Sequence, residues 1–246
     1  MPYNSLKMTH TDGTMHHLGI NESHVAKKVI LVPNPEDVPI LAKELENADF
    51  MGDYREYVTY TGRFEGEPIT VMSCGFGCMP MAIAVEELKH LGVEEIIKID
   101  ACAAIDEKLK IGDIVACKGA VRGDGVTKEY IDGSYPAYPD MKLLFTLMQN
   151  GEQPVYFRSH DCLNNESPYA EGGHERMRRW SKLGVKVMDS ETSALYVIGT
   201  ILKLKVASSA VIKENYMTNQ MMTEQQRLEA LKKLFIKSCE IFCCQG

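Results

Sequence analysis

The stretch SCGFGCMPMAIAVEELKHLGVEEIIKIDACAAI, from Ser73 to Ile105, constrains the fold more than any other segment. A short apolar run at Ile69 to Ser73 reads as a strand. Gly75 and Gly77 follow it as a turn that can take positive φ and let a ligand approach the backbone. Pro80 opens a helix, because a proline at its start gives up an N–H that has no intrahelical partner anyway. Met81, Val85, Leu88 and Leu91 recur at helical spacing, and Gly92 closes the helix in a left-handed conformation. Glu95 to Asp100 is a second strand. This order predicts two exit loops side by side at the carboxyl edge of a parallel sheet, the edge where open α/β sheets bind ligands.

The rest of the chain continues the alternation. Strands are predicted at Lys28 to Val32, Tyr57 to Phe64, Asp113 to Cys117, Pro154 to Ser159, Val185 to Met188 and Val206 to Ile212. Helices are predicted at Pro35 to Asn47, Asp140 to Gln149, Glu175 to Leu183, Ser190 to Leu202 and Glu224 to Cys243. Glu65-Gly66-Glu67 reads as a hairpin turn, and Gly119 to Tyr138 as a polar loop. Asp161 to Gly173 reads as a long polar loop of the kind that serves as a lid or binding loop. The expected fold is α/β: a single-domain three-layer sandwich with a central mostly parallel or mixed sheet flanked by helices. One domain spans residues 1–246, with 1–16 a flexible N-terminus.

Composition narrows the function. A net charge of -7 argues against nucleic acid as a partner, since tracking phosphates over a large surface needs a basic patch. Eight cysteines are many, but Cys74/Cys78 and Cys239/Cys243 are CxxxC pairs without histidines at zinc-binding spacing, so free thiols and no metal are expected. No apolar run approaches the roughly 18 residues of a membrane span, and Met1 to Gly13 lacks the apolar core of a signal peptide. A cytoplasmic protein without a membrane partner is the expectation.

The Ile83 to Leu88 core, IAVEEL, and its surroundings resemble the nucleoside phosphorylases, most of all the uridine phosphorylases, from His17 to the last helix. The resemblance implies that the chain cleaves the N-glycosidic bond of a nucleoside. No cofactor is implied, inorganic phosphate is the co-substrate, and the protein is a homo-oligomer, a dimer or trimer of dimers, that shares sites across an interface.

The chemistry of bond cleavage sets three demands, and the resemblance assigns residues to each. Positive charge develops on the ribose, and a carboxylate suits it by accepting two hydroxyl hydrogen bonds. Glu191 in VMDSETSA matches that carboxylate, Asp189 stands at the first acid of the same motif, and His17 in the HLG triplet matches a histidine that reaches a neighbouring subunit's ribose. The base edge would be read by His174 and Arg176 in GHER, where a guanidinium offers a fork of donors, with Lys213 either joining them in the pocket or forming a structural salt bridge. Lys213 and Glu214 replace the acid that protonates purines, which favours a pyrimidine-like base. The nucleophile would be held by Arg55, from across the dimer, by Lys98 and by the backbone at Gly75.

The nucleophile loop departs from the family pattern. Lys98 replaces an arginine and loses its bidentate fork, Asp100 and Ala103 replace glycines, Ala101 replaces a threonine, and Asp37 falls where an arginine is expected. A carboxylate repels phosphate but can act as general base for water, so Asp37 beside Val38 opens a second reading, a nucleosidase. A third is a catalytically degenerate nucleoside-binding or structural oligomer. All three require Glu191, the loop at 98–103 and a borrowed Arg55 to converge on one sugar-sized cavity.

Overall fold

The computed structural model describes residues 5–160 and 172–244. Ten strands form one mixed sheet: β1 (Lys28–Val32), β2 (Glu46–Tyr54), β3 (Tyr57–Phe64), β4 (Glu67–Ser73), β5 (Glu95–Ala104), β6 (Ile114–Gly123), β7 (Gln153–His160), β8 (Val185–Asp189), β9 (Lys205–Asn215) and β10 (Gln220–Met221). Their order is β10-β9-β6-β7-β8-β5-β1-β4-β3-β2, and β9 also pairs with β5. That extra pairing closes β5, β9, β6, β7 and β8 into a ring, with β1, β4, β3 and β2 running out from it as an open sheet. β1 lies parallel to both β4 and β5, and β5 parallel to β9. These central strands are buried almost end to end, as sheets covered on both faces require.

Seven α-helices are described: α1 (Val38–Leu41), α2 (Cys78–His90), α3 (Val126–Tyr130), α4 (Met141–Gln149), α5 (Gly173–Lys182), α6 (Thr192–Ile201) and α7 (Glu224–Cys243). One apolar core packs α2 and α6 on one face of the sheet, with Val85, Leu88, Leu195 and Tyr196 fully buried. The other packs α1, α4 and α7 on the opposite face, with Leu143, Leu147, Leu234, Phe235 and Phe242 fully buried. The three layers and mixed sheet match the sequence expectation.

Local chemistry explains most boundaries. Gly77 at φ +106 starts α2, placing Pro80 in the first turn, where a missing N–H has no partner to lose. Asp140 caps α4 by accepting from the Leu143 N–H, and Thr223 with Gln226 forms a capping box on α7. The predicted helix over 35–47 does not form as one element. It breaks into a 3-10 turn (Pro35–Asp37), α1 and a second 3-10 turn (Ala42–Glu44), and the chain then enters β2, an edge strand the sequence did not reveal. β2 is mostly exposed and bulged, so it carries little of the alternation that marks a half-buried strand. The predicted loop at 119–138 is partly ordered as the end of β6 and α3.

Within the N-terminal segment for which the sequence predicts flexibility, Met15 is fully buried and Thr9 bridges to Met15. Residues 161–171 of the predicted lid loop lie outside the described residues. The described cysteines are free, and Cys74 and Cys78 serve packing: burial pushes both thiols up, and Cys78 donates to the Ser190 carbonyl at 3.1 Å. No helix among the described residues is long and apolar enough to cross a membrane.

Candidate active site

The carboxyl ends of β1, β5, β8 and β9 open onto one cavity of about 370 Å³, a volume suited to a small metabolite. Pro33 and Asn34 come from the exit of β1, and Asp100 to Ala103 from the second half of β5. Met188 to Glu191 arrive from the β8–α6 junction, Lys213, Glu214 and Tyr216 from the end of β9, and Phe76 from the glycine loop. The site therefore lies at the sheet edge that the glycine-loop unit predicts.

Glu191 is the side chain around which this cavity is built. It is 1% exposed, and its carboxylate accepts from the Gly77 N–H at 2.9 Å and pairs with Lys98 Nζ at 2.9 Å. The positive φ of Gly77, a conformation that favours glycine, aims that N–H back at the acid. Burial, with Asp100 and Asp189 close by, raises the Glu191 carboxyl above its ordinary value, against the pull of Lys98.

Lys98 is fully buried behind this wall, in contact with Asp100 at 3.2 Å, Asp189 at 3.0 Å and Glu191 at 2.9 Å. Burial alone would strip its proton, but the three carboxylates hold it charged, above the usual lysine value. Three contacts match the three N–H bonds of an ammonium, so Lys98 spends its charge inside the protein and does not present it to the cavity. This corrects the expectation that Lys98 faces phosphate.

Asp189 needs a similar correction. Its carboxylate accepts from Lys98, from Ser159 Oγ at 2.6 Å, and from both the N–H (3.0 Å) and the hydroxyl of Thr192. Three of these donors crowd Oδ2 and one takes Oδ1, and the side chain is fully buried, so it is not offered to a ribose hydroxyl. Burial works to raise this carboxyl, but Lys98, Ser159 and Thr192 together hold it below the ordinary value. Asp189 thus anchors Lys98 and the first turn of α6.

Asp37 does not face the cavity as a base. It is 3% exposed and gripped by Arg227 in a bidentate pair, Nη1 to Oδ2 at 2.9 Å and Nη2 to Oδ1 at 2.7 Å. Arg227, in the first turn of α7, also binds Glu224 and itself lines the cavity. A carboxylate committed to a guanidinium is a poor acceptor for a water proton, which removes the observation behind the nucleosidase reading.

The remaining predicted residues lie elsewhere in the chain. His17 sits beyond the cavity, its Nδ1 on Glu87 at 2.8 Å, while the same carboxylate accepts from the His17 and Leu18 N–H groups. Gly19 completes the triplet because a Cβ there would stand 2.9 Å from Tyr54 Cβ. Arg55 is exposed at the β2–β3 turn, its guanidinium 5.6 Å from the Tyr54 ring, and does not line this chain's own cavity. Gly75 lies in the loop but not in the cavity wall. Arg176 is on α5 next to Met177, which does line the cavity, whereas the side chain of His174 lies outside the described residues. Lys213, by contrast, lines the cavity. Sequence reasoning missed Arg227, hidden as an ordinary i,i+3 partner of Glu224, and Glu87, hidden inside the apolar helix α2.

An α/β enzyme of the class that binds small molecules at a sheet edge is what this fold and cavity define. The comparisons carry the assignment one step further. A family model described as the phosphorylase superfamily matches residues 27–241, and the chain belongs to that superfamily. The uridine phosphorylase of Thermococcus kodakarensis is 28% identical over 222 residues, covering 85% of this chain and 80% of the relative. A guanosine phosphorylase of Halorubrum lacusprofundi is 26% identical over 205 residues, covering 81% and 83%. The crystal structure of uridine phosphorylase from Vibrio fischeri ES114 superposes with a TM-score of 0.84 at 30% identity, covering 94% of this chain and 97% of that one.

Proposed function

We propose that this chain is a nucleoside phosphorylase that cleaves the N-glycosidic bond of a pyrimidine-like nucleoside, with phosphate as nucleophile. The C1′–N bond breaks with its electron pair leaving on the base, and a C1′–O bond to phosphate forms, giving free base and ribose 1-phosphate. The observation that carries this reading is Glu191, a buried carboxylate pinned by Lys98 and the Gly77 N–H in the wall of a nucleoside-sized cavity. There Lys98 and the Ser190 N–H take Oε2, Oε1 keeps one site for a ribose hydroxyl, and the carboxylate's negative charge opposes the cationic sugar of the transition state.

The base lies toward Met177 and Tyr216, with Arg176 on the neighbouring helix reading its edge. His17 and Arg55, which do not line their own cavity, act in a neighbouring copy's site in a homo-oligomer. Exposed Phe50 and Tyr54 on β2, the strand that leads into Arg55, support an apolar contact for that copy.

The test is release of uracil from uridine by the purified full chain, with and without inorganic phosphate, followed by detection of ribose 1-phosphate. Phosphate-dependent release is the expected result. Full activity without phosphate, or no cleavage of any nucleoside, would overturn the proposal.

A further inference from the structure

The cavity wall below Glu191 holds a group that an anion site ordinarily avoids, the carboxylate of Asp100. Its Oδ1 accepts from the Ala101 N–H at 2.7 Å, and its Oδ2 from Lys98 Nζ at 3.2 Å and Cys102 Sγ at 3.3 Å. A backbone N–H and an ammonium on a glycine-poor loop are the donors an entering anion would seek, and here an internal carboxylate already holds them. The side chain is 19% exposed, so it still presents lone pairs to the cavity.

Donors remain on the facing strand and helix. β5 and β9 run in register from Asp100↔Ala210 to Cys102↔Ile212, after which Ala103 pairs with Glu214. Lys213 is the extra residue of this bulge, a feature that re-aims a side chain at a sheet edge. Its ammonium makes no hydrogen bond or ion pair among the described residues, and it lines the cavity. Arg227 lines the same wall, and after its bonds to Asp37 and Glu224 one Nη1 N–H is left over. In and behind the wall, Asp37, Asp100, Asp189, Glu191, Glu214 and Glu224 outnumber Lys98, Lys213 and Arg227 among the described residues. A fully ionised oxyanion meets net repulsion in such a site.

We propose that Asp100 is a specificity-determining residue that restricts the cavity to a protonated oxyanion: phosphate donates its P–OH to the Asp100 carboxylate while Lys213 and Arg227 donate to its other oxygens. This rests on the phosphorolytic reading given above. Phosphate and arsenate keep a proton at neutral pH, whereas sulfate has none. A carboxylate facing sulfate accepts nothing and only repels it, the unpaired-acceptor penalty that makes such sites discriminating.

The test uses the full chain at matched ionic strength with chloride as control. Phosphate and arsenate are expected to raise the melting temperature and sulfate is not, and sulfate at equal concentration leaves the KM for phosphate unchanged. Asp100→Asn, whose amide donates as well as accepts, should lower the phosphate-over-sulfate preference by about tenfold or more, the weight of one charge-assisted hydrogen bond. Lys213→Met, a second variant on the opposite wall, should weaken phosphate while keeping sulfate excluded. Sulfate that stabilises or inhibits the wild-type protein as phosphate does overturns the proposal. So does an absence of stabilisation by any of these anions, or an unchanged preference in Asp100→Asn. Selective phosphate binding without uridine cleavage would defeat the phosphorolytic reading and leave the anion selectivity standing. Phosphorolysis that sulfate inhibits competitively would do the reverse.

Discussion

Two buried carboxylates at opposite ends of the closed strand ring live under different rules. At the carboxyl edge, Glu191 shares Lys98 with Asp100 and Asp189 and receives the Gly77 N–H. At the other end, Glu152 precedes β7 with a single hydrogen bond, from Ser209 Oγ at 2.5 Å, and its Oε1 has no partner. Burial pushes the Glu152 carboxyl up to about 7, against weaker opposing effects of Ser209 and Lys237. Burial favours the protonated form of both acids, and at the carboxyl edge an ammonium and a fixed N–H oppose that push far more than one hydroxyl does at Glu152. The end where partners oppose desolvation is the end with the cavity.

Lys98→Met tests the paired end and should have the largest effect. It strands three carboxylates around an apolar side chain, and a loss of about 3–5 kcal/mol of stability in urea denaturation at neutral pH is expected. The loss should shrink at low pH as those carboxyls protonate. A neutral or stabilising result would mean that the cluster is not held together by Lys98.

The unpaired end predicts a pH dependence of known sign. The folded state binds the Glu152 proton more tightly than the unfolded chain, whose carboxyl titrates near its ordinary value of 4.5. This contribution is therefore complete below pH 4.5 and is lost as pH rises through 7, by about 3 kcal/mol in all. Glu152→Gln keeps an acceptor for Ser209 and never charges, so its stability should fall less than the wild type's between pH 5 and pH 8. Parallel pH curves for the two proteins would break the contrast.

Glu191→Gln sharpens the functional side of the comparison. The amide fills the same space but carries no charge to oppose a cationic ribose, so kcat/KM for uridine phosphorolysis should drop about a hundredfold. Far smaller losses would move the catalytic weight away from this acid. The smallest effect is expected from Ser209→Ala, which removes the one donor on Glu152. It should cost about 1 kcal/mol at pH 5 and move the pH midpoint of stability upward. An unchanged midpoint would mean that this hydrogen bond does not restrain the charge.

Much of the architecture is legible in the residues themselves. The strand, glycine loop and helix at 69–92, the late pair β8 and α6, and the last helix α7 carry their own periodicity and caps, so local rules place them. β2 escapes those rules because an exposed edge strand has no buried face to alternate against. The site is legible in part. Glu191 stands at a strand-to-helix junction, a position the topology delivers to the cavity. Asp37 was misread because its partner, Arg227, is 190 residues away in sequence and sits in a helix turn that already explains it locally.

The chain alone determined the layer order and the edge at which ligands meet the sheet, since both follow from apolar spacing and turn chemistry within a few residues, while the acid at 191 was marked by family resemblance. Which charges are spent inside the protein and which are offered to the cavity was decided only in three dimensions. Lys98, Asp189 and Asp37 look available as letters. They are committed in the fold because a buried charge must find a partner wherever the chain brings one, and that pairing is long-range.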